Sequence, residues 1–142
     1  MGDKELIKPS VDVVEAIKAW VQQAAGDRQV FLEYMSTEQS DLPACCVQTL
    51  STNPRARVYR DGKTLTSYKF ALWYRCCIND RDADHQEALS FFDEIKRLID
   101  SRSLPKLVHH TPWQMTLDTS PAVYSAVELF EDYKADITFI YR

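Results

Sequence analysis

Hydrophobic and polar positions alternate most regularly between Ser67 and Ile78. Tyr68, Phe70, Leu72, Tyr74, Cys76 and Ile78 fall on one face, and Lys69, Ala71, Trp73, Arg75 and Cys77 on the other. A period of two sustained over this length predicts a long β-strand. Two shorter apolar runs, Val30–Met35 and Ala44–Leu50, are separated by a polar loop with Ser36, Ser40, Asp41 and Pro43, which suits two further strands. The stretch after Leu50 is polar and basic and reads as a loop. Further along, Trp113, Met115 and Leu117 alternate with Gln114, Thr116 and Asp118, and Ile137, Phe139 and Tyr141 with Asp136, Thr138 and Ile140. These predict two closing strands, with Ala122–Phe130 a candidate third.

The period changes to three and four in two places. Val14, Ile17 and Val21, joined by either Val13 or Ala24 and with Trp20 beside them, predict a helix over Val11–Ala25 that Ser10 caps and Gly26 stops. Asp84 followed by Glu87 resembles a capping box. Ala88, Phe91, Phe92, Ile95, Leu98 and Ile99 then mark a second, amphipathic helix to about Asp100. Helix, strands, helix, strands is the order of an α+β domain, a mostly antiparallel β-sheet with the two α-helices packed on one face. Trp73, Ile140 and Tyr133 or Tyr141 would leave the other face partly apolar, as surfaces that meet another subunit often are. Residues 1–10 read as an N-terminal tail and residues 11–142 as a single domain.

The 142 residues suffice for one core, and 45% hydrophobic with 11% aromatic content is ordinary for a folded domain. Lysine and arginine number 17 against 21 acids, a net charge of -4 that argues against a generic basic nucleic-acid binder and towards a protein partner. With glycine only at Gly2, Gly26 and Gly62, neither GxGxxG nor GxxxxGK[ST] can be written, which removes the common phosphate-cradling loops. Residues 1–10 hold no apolar stretch of the signal-peptide kind, and no run approaches the roughly 18 apolar residues of a membrane span. Secretion and membrane insertion are therefore not expected. Four cysteines stand as adjacent pairs, Cys45-Cys46 and Cys76-Cys77, which suits free thiols in a reducing compartment.

Those pairs are the first candidates for chemistry. Neighbours on a strand point to opposite faces, so neither pair can grip one tetrahedral ion as a CxxC turn does, and packing is the simpler role. His109-His110 lie in a polar connection before Pro112 with no carboxylate placed to orient them, and read as solvated. Asp80, Asp82 and Asp84 imitate the opening of a calcium loop, but its sixth position is His85 where glycine is needed and its twelfth is Phe91 where a bidentate glutamate is needed. These acids suit the start of the second helix instead. No nucleophile, base and orienting group share a recognised spacing, so no catalytic residue, metal or cofactor is expected.

Charge is unevenly distributed. Residues 51–75 hold Arg55, Arg57, Arg60, Lys63, Lys69 and Arg75 against Asp61, a local net of +5, while residues 76–101 hold seven acids against three bases, a local net of -4. A basic segment and an acidic helix on different sides of one subunit suit head-to-tail contacts that close a ring.

Taken together, Arg57-Val58-Tyr59-Arg60-Asp61-Gly62, the alternating strand Tyr68–Cys76, the helix with Phe91-Phe92 and Leu98, and the closing run Tyr133–Arg142 resemble the small tail-terminator, or minor capsid, proteins of long-tailed bacteriophages and prophages. The likeness covers about Val11–Arg142. It implies a non-enzymatic homo-oligomer, a hexameric ring that caps the tail tube, ends its growth and offers a surface to the head-completion or neck proteins. It also implies assembly in the host cytoplasm, a final place in the virion tail, and no membrane partner. By the same resemblance Tyr59–Gly62 form a turn between two strands and Arg55–Lys63 a projecting basic arm. Arg55, Arg57, Arg60 and Lys63 thus become candidates for the interface or the lumen. In the lumen their charge would lie beside genomic DNA without contacting bases. The chain departs from the family pattern at Ser120-Pro121, where a Ser-Gly turn is usual, and this leaves the path of Thr119–Phe130 open. The alternatives are a neck or head-completion subunit of similar fold and, from a different class, a small thiol or metal enzyme using Cys45, Cys46, Cys76 or Cys77 with His109 or His110.

Overall fold

The regular alternation around Phe70 and Leu72 builds the central strand of a sheet. The computed structural model describes residues 11–126 and 129–142. In chain order its elements are α1 (Val11–Ala25), β1 (Gln29–Leu32), a short 3-10 turn (Gln39–Asp41), β2 (Ala44–Val58), β3 (Thr64–Cys77), α2 (Arg81–Asp100), β4 (Pro112–Leu117), β5 (Ala122–Ala126) and β6 (Phe130–Tyr141). The strands run β1-β2-β3-β6-β4, with β5 also paired to β6. Every pairing is antiparallel except β1 with β2. The fold is α+β, as the order of periodic segments predicts.

Register explains why one face is dry. Cys45 lies opposite Tyr74, Val47 opposite Leu72, Tyr68 opposite Phe139 and Met115 opposite Phe139 in turn, so apolar side chains line up across four strands. That face shares a single core with Val13, Ile17, Trp20 and Val21 of α1 and Ala88, Phe91, Phe92, Ile95 and Leu98 of α2. Both helices thus cover the same side of the sheet. Trp20 also donates its indole N–H to the Ser103 carbonyl at 2.5 Å, tying α1 to the segment after α2. In α1, Val13 takes the buried position while Val14 stays half-buried. Gly26, at φ +63, ends the helix in a left-handed conformation that glycine adopts without cost from a Cβ. Ser10, the expected cap, lies outside the described residues, as do the remaining residues of the 1–10 tail and positions 127–128 of the candidate third strand.

Several boundaries differ from the sequence expectation. α2 starts four residues early: Asp80 is its N-cap, accepting from the N–H groups of Asp82 at 3.2 Å and Ala83 at 3.3 Å, while Asp84 accepts from Asn79 N–H at 3.0 Å. Such a cap contributes about 1 kcal/mol. The first turn, Arg81-Asp82-Ala83, is solvent-exposed and offers no apolar period to read. β1 stops at Leu32 because Glu33 turns left-handed, at φ +70. β5 ends at Ala126, and Phe130 opens β6.

Two corrections bear on function. The polar, basic stretch after Leu50 is a strand: β2 continues to Val58 and pairs with a β3 that begins at Thr64, before the expected Ser67. Because β6 pairs with β3 only from Thr66, the outer part of this hairpin stands off as a two-stranded ribbon. Between Ser51 and Leu65 only Leu65 is buried, and a ribbon wet on both faces has no reason to alternate apolar and polar residues. The second correction is that Tyr133 and Tyr141 are buried on the helix side and add nothing to the open face, since Tyr133 pairs with Tyr74 in register. Trp73 and Ile140 do lie on that open face, paired with Lys134 and Ser67.

Candidate functional site: a basic ribbon and an aromatic pocket on the open face

The ribbon carries all four cationic residues singled out in the sequence. Arg55, Arg57, Arg60 and Lys63 are exposed. Lys63 lies 3.9 Å from Asp61, whereas Arg55, Arg57 and Arg60 have no carboxylate at ion-pair distance among the described residues. The hairpin turn is closed by Tyr59 N–H to the Lys63 carbonyl at 2.8 Å, with Gly62 at φ +83. Between Asn53 and Arg57 the register slips, so β2 bulges around Pro54. A proline and arginines on an exposed strand edge discourage indiscriminate pairing with other chains.

The face of the sheet turned away from the helices is polar and internally paired at one end. Arg75 grips Asp132 through Nε at 2.7 Å and Nη2 at 3.0 Å, and donates from Nη1 to the Ser36 carbonyl at 3.1 Å. The hydrogen bond to Asp132 raises the Arg75 pKa further, so this guanidinium stays charged. Trp73 donates its indole N–H to Gln48 at 2.9 Å and meets Tyr124 edge to face with ring centres 4.8 Å apart. Lys134 Nζ lies 5.3 Å from the Trp73 ring, 5.2 Å from the Tyr124 ring and 3.7 Å from the Asp136 carboxylate. These rings thus already show one cation over their faces.

Beside them a cavity of about 350 Å³ opens, walled by Trp73 and Arg75 of β3, Tyr124 of β5, and Glu33, Tyr34 and Met35 of the loop after β1. Tyr34 is 85% and Tyr124 64% exposed, an unusual display for two tyrosines on one face. Sequence reasoning missed both, and Glu33 with them. Tyr34 sits in a run read as strand and Tyr124 in the segment whose path was open, so only the fold brings them together.

The acidic helix is partly committed to its own structure. Asp80 and Asp84 serve the start of α2, and Glu94 is held by Arg97. Asp82, Glu87, Asp93 and Asp100 remain exposed.

The thiols and histidines do not converge. Cys45 and Cys76 belong to the core under the helices, Cys46 lines the cavity on the opposite face, and Cys77 is half-buried, all four as free thiols. Burial pushes Cys45 and Cys76 up to about 12 and Cys46 up to about 11. His109 is exposed. His110 hydrogen-bonds the Arg142 carbonyl at 3.1 Å and meets the Tyr141 ring at 5.0 Å. His85, which the sequence singles out only as the wrong residue for a calcium loop, reaches the Tyr133 hydroxyl at 3.1 Å, and that hydroxyl donates to Glu131. Burial raises the Tyr133 hydroxyl above its ordinary range, so it stays protonated. Among the described residues no three His, Cys, Asp or Glu gather into a metal-holding group.

A thiol with a raised pKa is scarcely ionised near pH 8, and the thiolate is the reactive form. Ellman's reagent at that pH is therefore expected to titrate Cys77 alone in the native protein and all four cysteines after denaturation. Rapid native reaction at Cys45, Cys46 or Cys76 would bring back the thiol-enzyme reading. No helix of the described residues is long and apolar enough to cross a membrane. The chain matches no protein-family model, and no curated protein matches its sequence.

Proposed function

We propose that this protein is a structural subunit of virion assembly, a tail terminator that forms a ring on the end of a bacteriophage tail tube. The observation that supports this reading most is the exposed ribbon holding Arg55, Arg57 and Arg60, which have no carboxylate at ion-pair distance among the described residues. A two-stranded ribbon gains little stability from its own contacts. Its usefulness lies in what it touches on another subunit. Contacts between unlike surfaces of identical copies close a ring when the rotation between neighbours divides a full turn. Occupying the last layer of a tube removes the surface on which the next tube subunit would add, so termination follows from geometry without turnover. One rim of the ring then meets the tail-tube protein and the other the head-completion proteins of the neck. Any part of the ribbon that lines the lumen places its charge beside passing DNA, with attraction to phosphate alone.

The test is the absolute mass of the purified protein by light scattering across a concentration series, with and without assembled tail tubes. A discrete hexamer, or a monomer that binds tube ends and stops their extension, supports the terminator. A monomer that ignores tubes at every concentration overturns it.

A further inference from the structure

We infer that the aromatic pocket on the open face is the receptor for the basic ribbon of a second copy of this chain, with an arginine of the ribbon seated against Tyr34, between Glu33 and Tyr124. The inference rests on the ring assembly proposed above and names the contact that would build it.

Three observations lead to the same occupant. The first is charge. The segment Glu33–Asp41, of which Glu33, Tyr34, Met35 and Thr37 line the pocket, holds Glu33, Glu38 and Asp41 and no base, whereas Arg55–Lys63 holds four bases and one acid. Of the wall's acids, Glu33 accepts hydrogen bonds from Thr49, and Asp41 from Ser36 at 2.6 Å, but none has a cationic partner among the described residues. The ionic groups deeper in the site are already neutralised, Arg75 by Asp132 and Lys134 by Asp136. The acid of the pocket lining without a cationic partner among the described residues is therefore Glu33, with Glu38 and Asp41 farther along the same segment.

The second observation is shape and chemistry. Aromatic faces flanked by carboxylates favour a guanidinium, which stacks flat on a ring while its N–H groups reach acceptors at the edge. Tyr34, 85% exposed, offers such a face, while Tyr124, 64% exposed, is already engaged by Lys134 and Trp73 and contributes the opposite side of the seat. The backbone at Glu33 is held in the left-handed region, which a glutamate adopts only at some cost, and its carboxylate is anchored by the Thr49 hydroxyl at 2.6 Å. The loop that carries Tyr34 is thus fixed in place before a partner arrives.

The third is distance. Gln48 beside the pocket and Arg57 on the ribbon lie nine positions apart on one strand, about 30 Å at 3.3 Å per residue. A ribbon continuous with that strand cannot fold back into its own pocket. Any such contact is made between copies, and pocket and ribbon, being different surfaces, join head to tail. The exposed acids of α2 also attract the ribbon, but they lie on a solvated helix face without the aromatic floor, so the pocket is the preferred receptor.

A cyclised hairpin peptide spanning residues 53–65, titrated into the full-length protein and followed by amide and indole NMR shifts, tests this without requiring a ring or a tube. Shifts centred on the Trp73 indole, Tyr34 and Tyr124 are expected, with binding in the micromolar to millimolar range and loss of about tenfold or more in the double variant Tyr34→Ser, Tyr124→Ser. Both tyrosines are exposed, so the variant keeps its fold. A peptide with Arg55, Arg57 and Arg60 as serine should not bind. Shifts confined to α2 around Glu87 and Asp93, no shifts at about 1 mM peptide, or unchanged binding to the double variant each overturn the inference. A peptide seated in the pocket of a protein that never caps tubes would instead sink the terminator and leave the self-docking contact standing.

Discussion

On the tail-terminator proposal, changing Arg55, Arg57, Arg60 and Lys63 together to serine is expected to leave a folded chain that does not assemble on tube ends. All four side chains lie outside the core on the ribbon, and among the described residues only Lys63 of the four makes an ion pair, an exposed one. Exposed substitutions of this kind cost about 0.5 kcal/mol or less each, so the melting temperature should hardly move. Assembly should respond very differently. The ribbon's charge between Arg55 and Lys63 falls from +3 to -1 as four cations are lost and Asp61 remains. Arginines at the centre of an interface commonly contribute about 2 kcal/mol or more each. A closed ring repeats the same contact at every subunit, so the loss is multiplied around the circle. Light scattering and a tube-extension assay, beside a thermal melt of the same sample, separate the two effects. Caps formed as well by the serine variant as by the parent would remove the ribbon from the mechanism.

The second large effect is on stability. Trp20 is 1% exposed and joins α1 to the sheet core and, through its indole N–H, to the Ser103 carbonyl. Trp20→Ala removes the largest buried side chain and leaves that carbonyl without its donor, a loss of about 3–5 kcal/mol. Domains of this size have about 5–15 kcal/mol in total, so the variant should melt about 10–20 °C lower. Trp20→Phe keeps most of the ring volume and loses the hydrogen bond, for about 1–2 kcal/mol. Chemical denaturation of the two variants side by side checks the ordering. A cost below about 1 kcal/mol for Trp20→Ala would mean that α1 is not packed as described.

The core residues were legible because burial imposes a period. Phe70, Leu72 and Tyr74 alternate since one face of β3 is dry, and Phe91, Phe92, Ile95 and Leu98 recur at helical spacing since one stripe of α2 meets that face. The bounds of α1 could be read for the same reason, with Gly26 supplying the stop. Where both faces of an element meet water the period vanishes, and so β2 beyond Leu50 reads as a loop and the exposed first turn of α2 gives no helical signal. Composition alone assigned Arg55, Arg57, Arg60 and Lys63 to one basic segment. It could not say that they share a rigid ribbon.

The candidate site divides along the same line. The cations are neighbours in sequence, whereas Tyr34, Trp73 and Tyr124 come from three distant segments that the pairing of β1 with β2, β2 with β3, β3 with β6 and β6 with β5 brings to one face. That neither Tyr133 nor Tyr141 joins Trp73 and Ile140 on the open face is likewise a matter of register, since a shift of one residue exchanges the two faces of a strand. By itself the sequence determined the α+β class, the two amphipathic helices, the identity of the core and the lopsided charge, because local periodicity and composition record which side chains must leave water. The projecting ribbon, the buried tyrosines and the aromatic pocket were decided by the tertiary structure, because they depend on which strands pair and in what register, and those long-range choices leave no periodic trace in the chain.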